Sequence, residues 1–103
     1  MVIVTTENIP GKTYSILGLV EGSTIQSSHI GKDIGASLQT IIGGELKGYS
    51  EMMEQARGQA TERMVEKAAS MGADAIVCVR YGSAAVMQNA AEVLAYGTAV
   101  KFD

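Results

Sequence analysis

The chain has one cysteine, Cys78, and one histidine, His29, and Arg80 stands two residues beyond the cysteine inside an apolar run. Soft thiolates select soft ions such as Cu(I), which makes Cys78 the candidate metal ligand. A tetrahedral site needs about four ligands, typically with Cys or His paired at close spacing. No such pair exists here, so one subunit cannot complete a zinc-type site. Copies arranged around a symmetry axis multiply a single ligand, and that is the route by which Cys78 or His29 would hold metal. The plainer reading of Cys78 is a small buried hydrophobe between Val77 and Val79.

Ser27, Ser28 and His29 precede a predicted helix start, where free backbone N–H groups attract phosphate or carboxylate. Ser28 and His29 are therefore candidate ligand-binding residues, set against the plainer reading of an exposed imidazole. Neither a longer glycine-rich loop nor a lysine in phosphate-loop spacing accompanies them. Arg80, a cation in an apolar strand, must be paired or reach a surface. It predicts an intersubunit salt bridge or a ligand carboxylate or phosphate, and is the third candidate ligand-binding residue. Arg57 invites the same two readings, with a surface ion pair favoured. Tyr49 and Tyr96 either line a pocket or pack against neighbours. Met53, Met64 and Met71 carry thioethers, but their spacing is that of a helix stripe, where methionine fills a core. A hydrolase triad would need a Gly-x-Ser-x-Gly-like signature beside the lone histidine, and none is present. The glutamates of the long helix read as a solvated face. No catalytic residue is assigned, and no motif specifies a cofactor.

The elements that must position these residues follow from hydrophobic periodicity. Residues 2–5 are a short β-branched strand, stopped by Asn8, Ile9, Pro10 and Gly11. Residues 13–21 alternate with apolar side chains on both sides, which predicts a strand covered on each face; residues 23–26 extend it. Ile30, Ile34, Leu38, Ile41 and Ile42 suggest a helix over 27–42, capped by Ser28 or Asp33 and ended by Gly43 and Gly44. A second helix over 49–71 carries a stripe of Tyr49, Met53, Ala56, Ala60, Met64, Ala68 and Met71, with Ser50 near its start and Gly72 as its left-handed stop. Alanine dominates that stripe, so the helix is expected to lie close on its neighbour. Residues 75–81 form a strand covered on both faces, with Gly82 and Ser83 turning out of it. Residues 90–102 form a last long strand, in which Gly97 implies a bulge or a close backbone approach. The fold class is α+β.

At 103 residues there is room for one domain, taken as 1–103. Charged residues are only 18% of the chain, against roughly 25% in ordinary soluble domains. Such a surface hides best against copies of itself, so a homo-oligomer is expected. The net charge of −3 comes without a basic cluster, and nucleic acid is not an expected partner. A single cysteine fits a reducing compartment. The N-terminal residues lack a signal-peptide pattern and no apolar run is long enough to span a bilayer, so the expected location is cytoplasmic, with no membrane partner.

Gly18-Leu19-Val20-Glu21-Gly22, Gly43-Gly44, Ala56-Arg57, Met64, Gly72-Ala73-Asp74-Ala75 and Gly97-Thr98-Ala99-Val100, in that order and spacing, resemble the YbjQ-like family across nearly the whole chain. Members are small bacterial proteins, labelled heavy-metal-binding and thought to form ring-shaped pentamers. The resemblance implies a β-α-α-β-β subunit packed around a fivefold axis, with a metal ion or small anion as ligand. The reading set against it is a structural or interaction module that binds nothing small.

Overall fold

The computed structural model describes residues 1–27, 41–42, 45–87 and 90–103. Strands β1 (Val2–Ile3), β2 (Tyr14–Ser27), β5 (Ala75–Met87) and β6 (Ala90–Phe102) build a mixed four-stranded sheet in the order β1-β5-β6-β2. β1 runs parallel to β5, and the other neighbours are antiparallel. A two-stranded ribbon of β3 (Ile41–Ile42) and β4 (Glu45–Leu46) leads into helix α1 (Lys47–Ser70). Among the described residues α1 is the one helix, so the main elements read β-α-β-β. Most of the helix expected over 27–42 lies outside the described residues. Its expected ends are strand instead: Ser27 closes β2 and Ile41–Ile42 pair with β4.

The alanine stripe does what its small side chains allow. Ala56, Ala60, Met64 and Ala68 are fully buried on the sheet, at the i, i+4 spacing that keeps residues on one helix face. Met53 packs at the margin of this core, whereas Tyr49 and Met71, at the two ends of the predicted stripe, are exposed. The helix touches down over Gly22 of β2. A Cβ there would collide with the Ala60 carbonyl oxygen and the Met64 backbone nitrogen, and would lie 2.9 Å from the Arg63 carbonyl carbon. Beside this contact Thr24, buried, bonds Gln59 Oε1 through its hydroxyl at 3.1 Å, and Gln26 Nε2 donates to the same oxygen at 2.8 Å. α1 begins three residues before Ser50, which is therefore inside the first turn and not a cap. Its other end is as expected: Gly72 adopts φ +79°, its N–H bonds the Ala69 carbonyl at 3.0 Å, and the Ala73 N–H bonds that of Ala68 at 3.1 Å. These two bonds make a Schellman motif.

The sheet is not covered evenly. Strand alternation places Val20, Gly22 and Thr24 of β2, Val93, Ala95 and Ala99 of β6 and Ile76 and Val79 of β5 on the helix side. On the opposite face, Ala75, Val77 and Val100 are covered by Val4, Ile9, Tyr14 and Phe102, because the N-terminal segment folds back over that end of the sheet. Beyond it no described element covers that face. Cover on both faces is thus found at residues 75–79 and not in β2, where Ile16 and Leu19 are each 71% exposed and Ile25 62%. β2 is an edge strand, and α1 shields only one of its faces. The turn expected at Gly82 and Ser83 is also absent, since β5 continues to Met87 because β6 remains beside it to pair with. Its whole second half, residues 81–87, is exposed.

Substituting Gly22→Ala should lower the stability by about 3 kcal/mol or more, since rigid helix backbone rather than a movable side chain blocks the new methyl. Gly82→Ala, where no atom lies within 4 Å of the added Cβ, should stay within about 0.5 kcal/mol of wild type. Denaturant titration of the two variants tests the contrast.

Candidate functional site

β5 breaks its pairing with β6 twice, once between Ala85 and Met87 and once where Cys78 and Arg80 sit. Val77 pairs with Thr98 and Arg80 with Tyr96, which leaves Cys78 and Val79 together opposite Gly97. Two residues facing one is a β-bulge. Gly97 is required there: a Cβ would lie 2.8 Å from Ile76 Cγ2, 3.0 Å from the Val77 carbonyl oxygen and 3.2 Å from Val79 Cγ2. Cys78 takes the left-handed conformation, φ +56°, which costs an L-residue roughly 1–2 kcal/mol. The extra residue divides the pair between the two faces. Val79 joins the helix-side core, while Cys78, half-buried, packs on Ala75, Val77 and Val100 of the other.

The N-terminal segment secures this bulge. Cys78 N–H donates to the Thr6 carbonyl at 3.1 Å, and Val79 N–H to that of Val4 at 3.0 Å. Arg80 Nη1 donates to the Thr5 carbonyl at 3.0 Å and to the Val79 carbonyl at 2.9 Å. Cys78 and Arg80 are therefore brought together on one face, under one backbone hook. Tyr96, opposite Arg80, is exposed there, and Glu21 stands opposite Tyr96 in β2, so Glu21, Tyr96 and Arg80 form a row across three strands. Glu21 escaped the sequence reading because only strand register places it in line with Arg80.

Among the described residues the one ion pair joins Lys101 and Asp74, at 3.6 Å. Among the described residues Arg80 thus has carbonyl partners and no carboxylate of its own subunit, and the surface ion pair expected of Arg57 is not found. Ser28 and His29 lie outside the described residues. No group of three His, Cys, Asp or Glu side chains is gathered among the described residues. Among the described residues, then, Cys78 is the one thiol and belongs to no three-ligand group within one subunit. A shallow depression of about 380 Å³ lined by Gly22, Ser23, Arg63, Glu66, Lys67 and Ser70 sits on the helix side of β2, where Arg63 Nη1 donates to the Ser23 carbonyl at 2.7 Å. No described helix is long and apolar enough to cross a membrane.

A helix laid on one face of a mixed four-stranded sheet, with a bulged strand hooked by the N-terminal segment, defines an α+β protein. A solved structure from Pediococcus pentosaceus, a protein of unknown function in the DUF74 family, has the same fold, with a TM-score of 0.68 over 100% of this chain and 98% of that one at 21% identity. The YbjQ family model, described as "Putative heavy-metal-binding", matches residues 1–103. The UPF0145 protein of Clostridium novyi is 57% identical over 101 residues, covering 98% of both chains. That of Clostridioides difficile is 59% identical over 101 residues, covering 97% of this chain and 90% of its own. The chain belongs to the YbjQ family of UPF0145 proteins.

The left-handed turn at Cys78 has a measurable consequence. Cys78→Gly should be close to neutral, because relief of about 1–2 kcal/mol of backbone strain offsets lost packing and the roughly 0.5–1 kcal/mol of added chain entropy. Cys78→Val should destabilise clearly, since a β-branched residue resists positive φ. Thermal unfolding of the two variants side by side reads the difference.

Proposed function

We propose that the protein is a cytoplasmic homo-oligomeric binding protein, a ring of five copies that holds a soft metal ion or small anionic ligand between subunits. The observation that carries this is β2, a fourteen-residue edge strand whose Ile16, Leu19 and Ile25 are each more than 60% exposed. Long, apolar, unprotected edges pair with other chains unless something blocks them. The low charge content leaves little to block them with. Assembly would also supply what one subunit lacks for binding. A single Cys78 thiolate becomes several around an axis, and thiolates suit the soft ions to which the family description refers. In this reading Arg80, on the same face, provides positive charge for an anionic ligand, with Ser28 and His29 as further donors.

The second reading is a structural or interaction ring that binds nothing small. It is favoured by the absence, among the described residues, of any group of three metal-ligating side chains.

Native mass spectrometry of the untagged protein from its own host, with and without added Cu(I), separates the two. The binding reading expects a five-subunit species that gains fewer than five copper ions, and at least a tenfold loss of Cu(I) affinity in Cys78→Ser. A five-subunit species that takes up no copper or organic mass favours the structural ring. A Cys78→Ser protein that binds Cu(I) as tightly as wild type removes the thiolate site, and a monomer at all concentrations removes the assembly.

A further inference from the structure

Among the described residues the sheet has two open edges, and they differ in charge. On one side β2 is unpaired along its outer edge and presents Glu21 on the uncovered face. On the other side β5 loses its neighbour once the N-terminal hook ends at Arg80, so residues 81–87 have a bare outer edge. Glu21 and Arg80 stand in the same cross-strand row, separated by Tyr96, and on the same face. Within one subunit they are two strand spacings apart, about 9.6 Å, with Tyr96 between them, and no ion pair joins them. Each also lacks an oppositely charged side chain among the described residues.

We infer that the β2 edge of one copy pairs with the distal β5 edge of the next, in parallel, so that Glu21 meets Arg80 of the neighbouring copy. This rests on the assembly part of the reading above and specifies its contact surface. β2 and β5 both run antiparallel to β6, so they point the same way, and edge-to-edge addition about an axis along the strands keeps that direction in every copy. The two edges are different surfaces, hence the contact is head-to-tail, the kind that closes into a ring when the rotation between copies returns to its start, rather than stopping at a dimer. Strand alternation requires faces to match across the junction, which admits only even slips in register. Glu21 and Arg80 are long enough to meet across a slip of two. Arg80 keeps free guanidinium donors for this, because only Nη1 is engaged with the Thr5 and Val79 carbonyls. The helix side of residues 81–87, which α1 reaches in its own subunit through the Thr61 and Tyr81 hydroxyls at 2.7 Å, gains further cover as well. α1 lies mostly over β2 and would overhang the strand added beside it.

Sedimentation velocity on charge-reversed variants tests the pairing. Glu21→Arg and Arg80→Glu should each weaken assembly at least tenfold, and the doubly reversed protein should regain it. Because Arg80→Glu also removes the tie to Thr5, a second measurement avoids that residue. In a Cys78→Ser background, Ser23→Cys protein and Gly82→Cys protein should each remain unlinked by a short bismaleimide and should form cross-linked pairs when mixed. Single reversals that assemble as wild type does, or mixed cysteine proteins that stay unlinked while wild type is oligomeric, overturn the edge pairing and leave the oligomer standing. A wild-type monomer under the same conditions overturns the assembly reading itself, and this inference with it.

Discussion

Everything in this subunit depends on how near α1 can come to the sheet. The helix axis is brought down by a row of alanines, but alanine on the helix alone would not suffice. The strand beneath must also lack a side chain at the crossing, and Gly22 supplies that gap against the backbone of residues 60–64. Once the backbones are this close, Met64 and Val93 fill the remaining space, and Thr24, Gln26 and Gln59 close the polar flank with hydrogen bonds. A core this shallow suits a domain with few large side chains: its fully buried residues are mainly alanine, with Met64, Ile76, Val93 and Val100 the largest.

A single helix can serve only one face of the sheet, and the other face is divided by the bulge at Cys78. Below it the N-terminal segment returns and seals Ala75, Val77 and Val100. Above it no described element covers the strands, and β2, β5 and β6 run on as a long ribbon in a subunit 53 Å along its greatest extent. The bulge marks this boundary because the chain that hooks it at Val4, Thr5 and Thr6 reaches no further along β5. A strained cysteine, an arginine tied to a carbonyl and an exposed tyrosine therefore collect at the transition between the sealed and the open part of the sheet.

This division leaves the described residues of one subunit with more exposed strand than enclosed space. The subunit gathers no group of three ligating side chains among the described residues, and the depression beside β2 is a shallow groove. What it does offer is extended: free strand edges, apolar side chains along β2 and charges of opposite sign on opposite edges. The proposed ring uses these features directly, and any ligand site would then be a property of the junctions between copies.

Much of this was legible in the residues. The stripe of Ala56, Ala60, Met64 and Ala68 located the helix and its close packing, Gly72 located its end, and Gly97 announced the bulge, because each depends on local geometry that a residue type either permits or forbids. The resemblance carried by short glycine and alanine motifs pointed to the right family. The alternation of residues 13–21, in contrast, could not say which faces would be covered, since burial depends on whether a second layer arrives from elsewhere in the chain. Gly82 and Ser83 looked like a turn, yet a neighbouring strand with hydrogen bonds to offer kept β5 extended through them. The alignment of Glu21 with Arg80, 59 positions apart in the chain, was decided by tertiary structure alone, because strand order and register set it and neither is written in the local pattern.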